Sequence, residues 1–379
     1  MSKIGIFSAQ VLPFVGGIQR YTDELAKELA RRGHKVYIIT SDIYGGQPVS
    51  HKGNITFINM PCFPLLKGRL PIVKRNKRFL TLRRYIENIG LDFIIINARF
   101  YTHSVFGARL ALKNNIKSIC IDHGSDYIAF NKPIIDPIVH LYEHLITLVM
   151  KRYCKRYYAV SRDGSKWLKT FGIRSMGEVH NSINVRDIEE EISNYKGANV
   201  PLDESCGPVI SYVGRVIERK GILELDRAVY GLKGTYPGIR LIIAGDGELM
   251  STLRRVSHDT TIIAGTLPHD AAMNLIKRSD VFVLASETEG FPTSVLEAFA
   301  CKTFVITTYA GGSKEIIRDR SFGLLIKDNS SESIRKALKY ALADDDYRKN
   351  AAQKSYNYVK NFYSWSKAAE QIEEIIAGD

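Results

Sequence analysis

The chain has 379 residues, 45% hydrophobic and 25% charged, which excludes a disordered polypeptide and predicts two domains, since single cores stop growing at about 250–300 residues. Its net charge of +13 is uneven: residues 1–180 carry 28 Lys+Arg against 12 Asp+Glu, leaving 25 and 28 for residues 181–379, a balance of +16 against −3. Confinement of the basic bias to one half speaks against a nucleic-acid binder and for one domain that meets an anionic surface or substrate, a solvated basic face being the plain alternative.

The first forty residues predict a strand (Ile4–Ser8), a loop with Gly16-Gly17, a helix over about Gln19–Arg32, a stop at Gly33 and a second strand, Val36–Thr40. That is a βαβ start, as in a parallel doubly wound sheet. Short apolar runs continue at Ile55–Ile58, Phe93–Asn97, Ser118–Ile121 and Tyr157–Val160. From about Asp187 to Gly207 the rhythm is lost, and the segment reads as a connector. The pattern restarts with Val209–Val213, Ile239–Ala244, Thr261–Ile263, Val281–Ala285, Thr303–Thr307 and Leu324–Ile326, and ends on a helix around Ser364–Ala377. The expected division is an N-terminal domain over 1–185, a hinge over 186–207, a second Rossmann-like domain over 208–360, and a C-terminal helix over 361–379 that packs back on the first domain. The longest apolar run, Ile134–Met150, is interrupted by Asp136, His140, Glu143 and His144, so no membrane span is expected. The apolar start is too short for a signal peptide. The five cysteines form no C-x-x-C pair, which signals neither zinc nor a disulfide framework and suits a reducing compartment.

The sharpest motif is Ser286-Glu287-Thr288-Glu289-Gly290-Phe291-Pro292-Thr293-Ser294-Val295-Leu296-Glu297-Ala298. A strand runs into a loop, Pro292 and Thr293 mark a helix start, and backbone N–H groups there make an anion site. Glu297 lies one turn in, suited to accept from sugar hydroxyls; Glu289 and Glu297 are otherwise acids that favour a helix start. Arg215 ends the strand Val209–Val213, and Lys220-Gly221 follows, so two cations can converge on one diphosphate and replace a metal ion. Two surface bases are the bland alternative. Gly245-Asp246-Gly247 follows another strand, but the third glycine of a dinucleotide fingerprint would fall on Met250, and a plain turn is the simpler role. A dehydrogenase is disfavoured for want of an early glycine fingerprint. His123, in Asp122-His123-Gly124-Ser125-Asp126-Tyr127, follows an apolar strand at the carboxyl edge where open α/β sheets hold ligands, although lone histidines are commonly structural. No D-x-D motif ends a strand, so no metal and no other cofactor is expected.

The run Ser286–Ala298, with Thr308-Tyr309-Ala310-Gly311-Gly312-Ser313-Lys314-Glu315-Ile316 after it, closely resembles the E-x7-E region of glycosyltransferase family 4, retaining enzymes of the GT-B fold, and the bacterial polysaccharide and lipid-linked glycan branch in particular. The resemblance implies an α/β fold of two Rossmann-like doubly wound domains facing across a cleft. It implies that Glu297 holds the donor ribose and that Glu289, with Gly290, Phe291, Pro292 and Thr293, surrounds the transferred sugar. Arg215 and Lys220 would neutralise the diphosphate, Gly245 would lie near the nucleotide, Leu267 beside the base, and Gly17 over the phosphates. His123 would line the sugar pocket, with Asp126 and Tyr127 as acceptor contacts. Retention in the family is attributed to front-face attack in which the departing phosphate takes the acceptor proton. At the hinge the family's Pro-Asn-Gly-hydrophobic-Asp is replaced by His180-Asn181-Ser182-Ile183-Asn184, which keeps only the Asn.

From Lys67 to Arg84 stand eight bases and no acid, with Ile72, Val73, Phe79, Leu80 and Ile86 at seven-residue offsets. This predicts an amphipathic helix with a basic face, and Lys151, Arg152, Lys155 and Arg156 form a second cluster. The expected partners are therefore a nucleotide-sugar donor, taken to be a UDP-sugar, a glycan or lipid-linked acceptor, and an anionic membrane surface, with no nucleic acid. The expected location is cytoplasmic, peripheral to the inner face of the cell membrane. A nucleotide-sugar epimerase of the same fold, or transfer to a soluble acceptor or a protein, are the competing readings.

Overall fold

A computed structural model describes residues 1–14, 16–66, 68–127, 134–197 and 207–378. Chain contacts divide it into one unit of Met1–Asn181 with Trp365–Asp379, and a second of Ser182–Ser364.

The first unit runs β1 (Lys3–Ser8), α1 (Gly17–Arg31), β2 (Lys35–Asp42), β3 (Val49–Lys52), β4 (Ile55–Leu65), β5 (Leu70–Val73), α2 (Lys77–Ile89), β6 (Phe93–Asn97), α3 (Thr102–Lys113), β7 (Lys117–Asp122), α4 (Ile135–Tyr153), β8 (Tyr157–Ala159) and α5 (Arg162–Lys169). Its sheet has the order β3-β4-β2-β1-β6-β7-β8, with β5 paired to β4. The strands β1, β2, β4, β6, β7 and β8 are parallel. The aliphatic run of β6 follows from burial on both faces, at all five of its positions. The antiparallel strands β3 and β5 are only four residues each, and β3 has a single aliphatic residue to announce it.

The second unit runs α6 (Val185–Asn194), β9 (Val209–Val213), a 3-10 turn (Glu218–Lys220), α7 (Ile222–Tyr230), β10 (Arg240–Ala244), α8 (Met250–Val256), β11 (Thr261–Gly265), α9 (His269–Lys277), β12 (Val281–Leu284), α10 (Thr293–Ala300), β13 (Phe304–Thr308), α11 (Ser313–Ile316), β14 (Leu324–Ile326), α12 (Ser331–Leu342) and α13 (Asp345–Phe362). Its six strands are all parallel, in the order β11-β10-β9-β12-β13-β14. The order reverses between β9 and β12, and open α/β sheets bind ligands outside the carboxyl ends of strands at such a reversal.

Two expectations need correction. Residues 186–207 are not all connector: α6 begins at an Asn184 cap whose side chain accepts from Arg186 N, and it buries Val185 and Ile188. Three glutamates in a row masked a short amphipathic face. Residues 198–206 of the expected hinge lie outside the described residues. The basic segment 67–84 is likewise not one helix: Ile72 and Val73 belong to β5, and α2 starts only at Lys77, capped by the Asn76 side chain on Phe79 N. Lys67 is not among the described residues.

The chain ends in α14 (Trp365–Ala377), part of the first unit. It lies on α1, with Trp365 edge-on to Tyr21 at 5.3 Å and Glu373 bound to Arg32 at 2.8 Å and His34 at 2.9 Å.

Candidate functional site

In the second unit the loops after β9 and β12 meet at the strand-order reversal. The amide of Glu287 donates to the carbonyl of Arg219 at 2.9 Å, which stitches the two loops together. Lys220 and Glu289 form an ion pair across them, both side chains about one-seventh exposed. Beneath it, the Tyr212 hydroxyl donates to the Arg215 carbonyl at 2.7 Å. Burial raises the Tyr212 phenol far above its ordinary range; the Glu289 carboxylate adds to the rise and Arg215 opposes it. Arg215 itself is exposed. Two cations and a carboxylate thus gather over the reversal, the array a diphosphate sugar would need.

The glycines here are dictated by close backbone approach. A Cβ on Gly245 (φ 140°) would stand 1.8 Å from the Gly214 carbonyl oxygen, and one on Gly311 (φ 54°) 1.9 Å from that of Glu289. Gly245 therefore has a packing role of its own, close to the plain turn that sequence also allowed. Gly311-Gly312 shape the loop that carries Glu289, Gly290 and Phe291: Gly312 N donates to Gly290 O at 3.2 Å, and the ring of Phe291 lies against Gly312 where a Cβ would fall at 2.2 Å.

Pro292 precedes the first turn of α10 and offers that turn no side-chain cap. Glu297, one turn in, is buried at 7% exposure with its Oε1 3.5 Å from His269 Nε2. His269 Nδ1 lies 2.5 Å from Glu191 of α6, so a histidine that sequence reasoning missed links two carboxylates. Only its place after β11 could have drawn attention to it. Leu267, also after β11, packs on Ile242, Ala244 and Leu275.

In the first unit, His123 follows β7 and is held by a buried polar chain. The Thr22 hydroxyl donates to Ile18 O at 2.8 Å, Asn97 Nδ2 donates to Thr22 Oγ1 at 2.8 Å, and Asn97 Oδ1 stands 3.3 Å from His123 Nε2. With the amide so oriented, Nε2 carries the imidazole proton. Burial pushes the His123 pKa down to about 3. Asn97 leaves the end of β6, where Ala98 is turned into the left-handed region (φ 66°), a conformation that stores strain in a non-glycine residue.

Beyond that turn, Arg99 is 1% exposed and reaches both carboxylate oxygens of Asp122 at 2.9 Å and Glu143 of α4 at 3.0 Å. Its guanidinium lies 3.8 Å from the Phe171 ring centroid. This buried triad anchors the residue before His123, and no spacing rule links its three members along the chain. Asp126 Oδ1 accepts from Tyr127 N at 2.8 Å. The Tyr127 hydroxyl is 2.7 Å from His144 Nε2 and its ring stacks on His140 at 4.1 Å, so Tyr127 is engaged within the fold. Gly17 opens α1, and a Cβ there would meet nothing within 4 Å.

Residues 15–187 match the family model Glycosyltransferase Family 4, and residues 201–358 match Glycosyl transferases group 1. An uncharacterized glycosyltransferase of Methanocaldococcus jannaschii is 23% identical over 98% of this chain and 97% of its own length. A component of the human phosphatidylinositol N-acetylglucosaminyltransferase is 24% identical over 96% of this chain and 73% of its own length. Among solved structures, HepE of Anabaena in complex with UDP and glucose superposes with a TM-score of 0.72 at 15% identity, covering all of both chains.

Proposed function

We propose that this chain, which matches glycosyltransferase family models over residues 15–187 and 201–358 and has the GT-B fold, acts on nucleotide sugars as a retaining, metal-independent enzyme that moves a sugar from a UDP-sugar to a lipid-linked glycan acceptor at an anionic membrane surface, in the making of a cell-surface polysaccharide. The observation that carries the reading is the gathering of Arg215, Lys220 and Glu289 where the strand order reverses.

In this reading Arg215 and Lys220 hold the diphosphate, so no divalent ion is required to neutralise it. Glu289, with the loop through Thr293, accepts from the hydroxyls of the sugar, and Glu297 from the ribose. The anomeric carbon–oxygen bond to the β-phosphate breaks as the acceptor oxygen bonds to the same face. The acceptor proton then goes to the departing phosphate. His123 is a poor competitor for that proton, because its pKa of about 3 lies well below the second phosphate pKa of about 6. In this reading it contributes a neutral imidazole, fixed in one tautomer by Asn97. A lipid acceptor is supported by the human relative, which is named a phosphatidylinositol N-acetylglucosaminyltransferase; a UDP donor is supported by HepE, solved in complex with UDP and glucose.

The test is a thermal-shift screen against UDP, GDP, ADP and dTDP with and without a chelator, followed by product analysis of the anomeric configuration. Stabilisation by UDP that survives chelation, and a product with the donor's anomeric configuration, are the expected results. Binding that needs a divalent ion, or an inverted product, would refute the mechanism.

A further inference from the structure

Helix α4 is turned inside out. Its buried positions include charged and polar residues: Glu143 is bound to Arg99, and Thr147 is also buried. Tyr142 donates inward to Phe100 O at 3.0 Å, and His144 meets Tyr127. Its outward positions are aliphatic. Ile134, Ile138, Leu141, Leu145 and Leu148 are all between 55% and 79% exposed. Steps of four, three, four and three residues set them in a single stripe about 20 Å long. A contiguous exposed apolar face of this kind marks an interaction surface.

We propose that this stripe is inserted among the headgroups and upper acyl chains of an anionic bilayer, which makes α4 the docking helix; the inference rests on the membrane part of the proposed function. Three observations choose lipid as the occupant. Arg152 and Lys155, both exposed, stand at the carboxyl end of the stripe, where they meet anionic headgroups when the aliphatic side chains are immersed. Met150 of α4 shares one core cluster with Phe79, Leu82 and Ile86 of α2, so both helices cover the same face of the sheet, and α2 and its approach add exposed Lys74, Arg75, Lys77 and Arg84. A second copy of the chain is a poorer fit. Helices that pair through such a stripe rely on opposite charges at the flanking positions, which here hold Ile135, Pro137, Tyr142, His144, Val149 and Lys151, with no acid among them. The stripe also lacks the aromatic and arginine anchors of protein interfaces.

The same helix carries Glu143, which holds Arg99 and through it Asp122, the residue before His123. Two ion pairs therefore tie the docking helix to the strand end that carries His123.

The experiment compares the full chain with a Leu141→Gln, Leu145→Gln double variant. Both are sedimented with phosphatidylcholine vesicles containing roughly one-third phosphatidylglycerol, at low salt and at about 1 M NaCl. Both are also titrated with UDP and examined by sedimentation equilibrium. Wild type is expected to stay partly vesicle-bound in high salt, because aliphatic insertion is not screened, and the variant to lose at least about tenfold in partitioning with UDP affinity unchanged. Equal vesicle binding by the two proteins overturns the proposal. So does wild type that ignores vesicles and forms a dimer that the variant cannot. UDP binding is read separately, so its absence in both proteins would count against the donor site and leave the vesicle comparison to judge α4.

Discussion

Asn97 presents its side-chain oxygen to His123 Nε2 at 3.3 Å while its nitrogen is committed to Thr22, so Nε2 carries a proton, and burial keeps the imidazole neutral. Burial lowers the pKa of His123 from the ordinary 6.5 to about 3. The sign follows from proton uptake: between these values the unfolded chain binds a proton that the native chain does not, so stability rises with pH. The contribution is complete above about pH 6.5 and is lost as pH falls towards 3. His103, buried and lowered to about 4, acts in the same direction. Urea unfolding at pH 5, 6 and 7 is expected to show His123→Asn with a shallower dependence than wild type, by up to about 1.4 kcal/mol per pH unit. Equal slopes would show that His123 is not held neutral.

Lys220 is paired with Glu289 in the protein alone, so a diphosphate must share or displace that carboxylate. Glu289→Gln removes the competitor and the sugar acceptor together. UDP, which has no sugar beyond its ribose, is expected to bind the variant severalfold more tightly. Transfer should fall about ten- to a hundredfold, since a charge-assisted hydrogen bond contributes about 1.5–3 kcal/mol. Lys220→Ala is expected to lose both binding and transfer. Calorimetric titration with UDP alongside a transfer assay separates the two; weaker UDP binding by Glu289→Gln would place that carboxylate on the wrong side of the diphosphate.

The parallel strands were legible because burial on both faces demands aliphatic runs, and stretches such as Ile94–Ile96 and Leu241–Ile243 have no other simple use. The donor motifs were legible because glycines and charges at strand ends are locally conspicuous. What escaped depends on partners distant in sequence. Arg99 finds Asp122 and Glu143 through three different elements. His269 joins Glu191 to Glu297. Helix α6 was hidden by its own acids, and α4 has its polar face inward because a buried arginine needs Glu143, which a hydrophobic pattern cannot express.

Two glycines that look alike in sequence should behave oppositely. Gly245→Ala places a Cβ 1.8 Å from the Gly214 carbonyl oxygen at φ 140°, and the combined overlap and strain are expected to cost at least about 3 kcal/mol. Gly17→Ala enters open space and should unfold within about 1 kcal/mol of wild type. If Gly17 admits a phosphate, the alanine variant loses donor affinity while its stability is kept. Denaturant midpoints and UDP titrations of both variants decide this; a strongly destabilised Gly17→Ala would show that the residue serves the fold.

The triad of Arg99, Asp122 and Glu143 sets two carboxylates around one guanidinium, all three side chains 1% exposed or less. Removing the cation leaves two buried acids facing each other without compensation, and loss of one member of a buried ion pair costs about 3–5 kcal/mol. Arg99→Ala is expected to fall in that range by urea unfolding. Arg99→Lys should recover only part of it, because an ammonium cannot offer two carboxylates the separate edges of a planar fork or stack on Phe171. The decisive comparison is Arg99→Met combined with Asp122→Asn and Glu143→Gln: with the charges gone together, most of the stability should return. His123, whose neighbour is no longer clamped, would then be free to shift, so the triple variant should fold well and transfer poorly. A triple variant with native turnover would show that the triad serves stability alone.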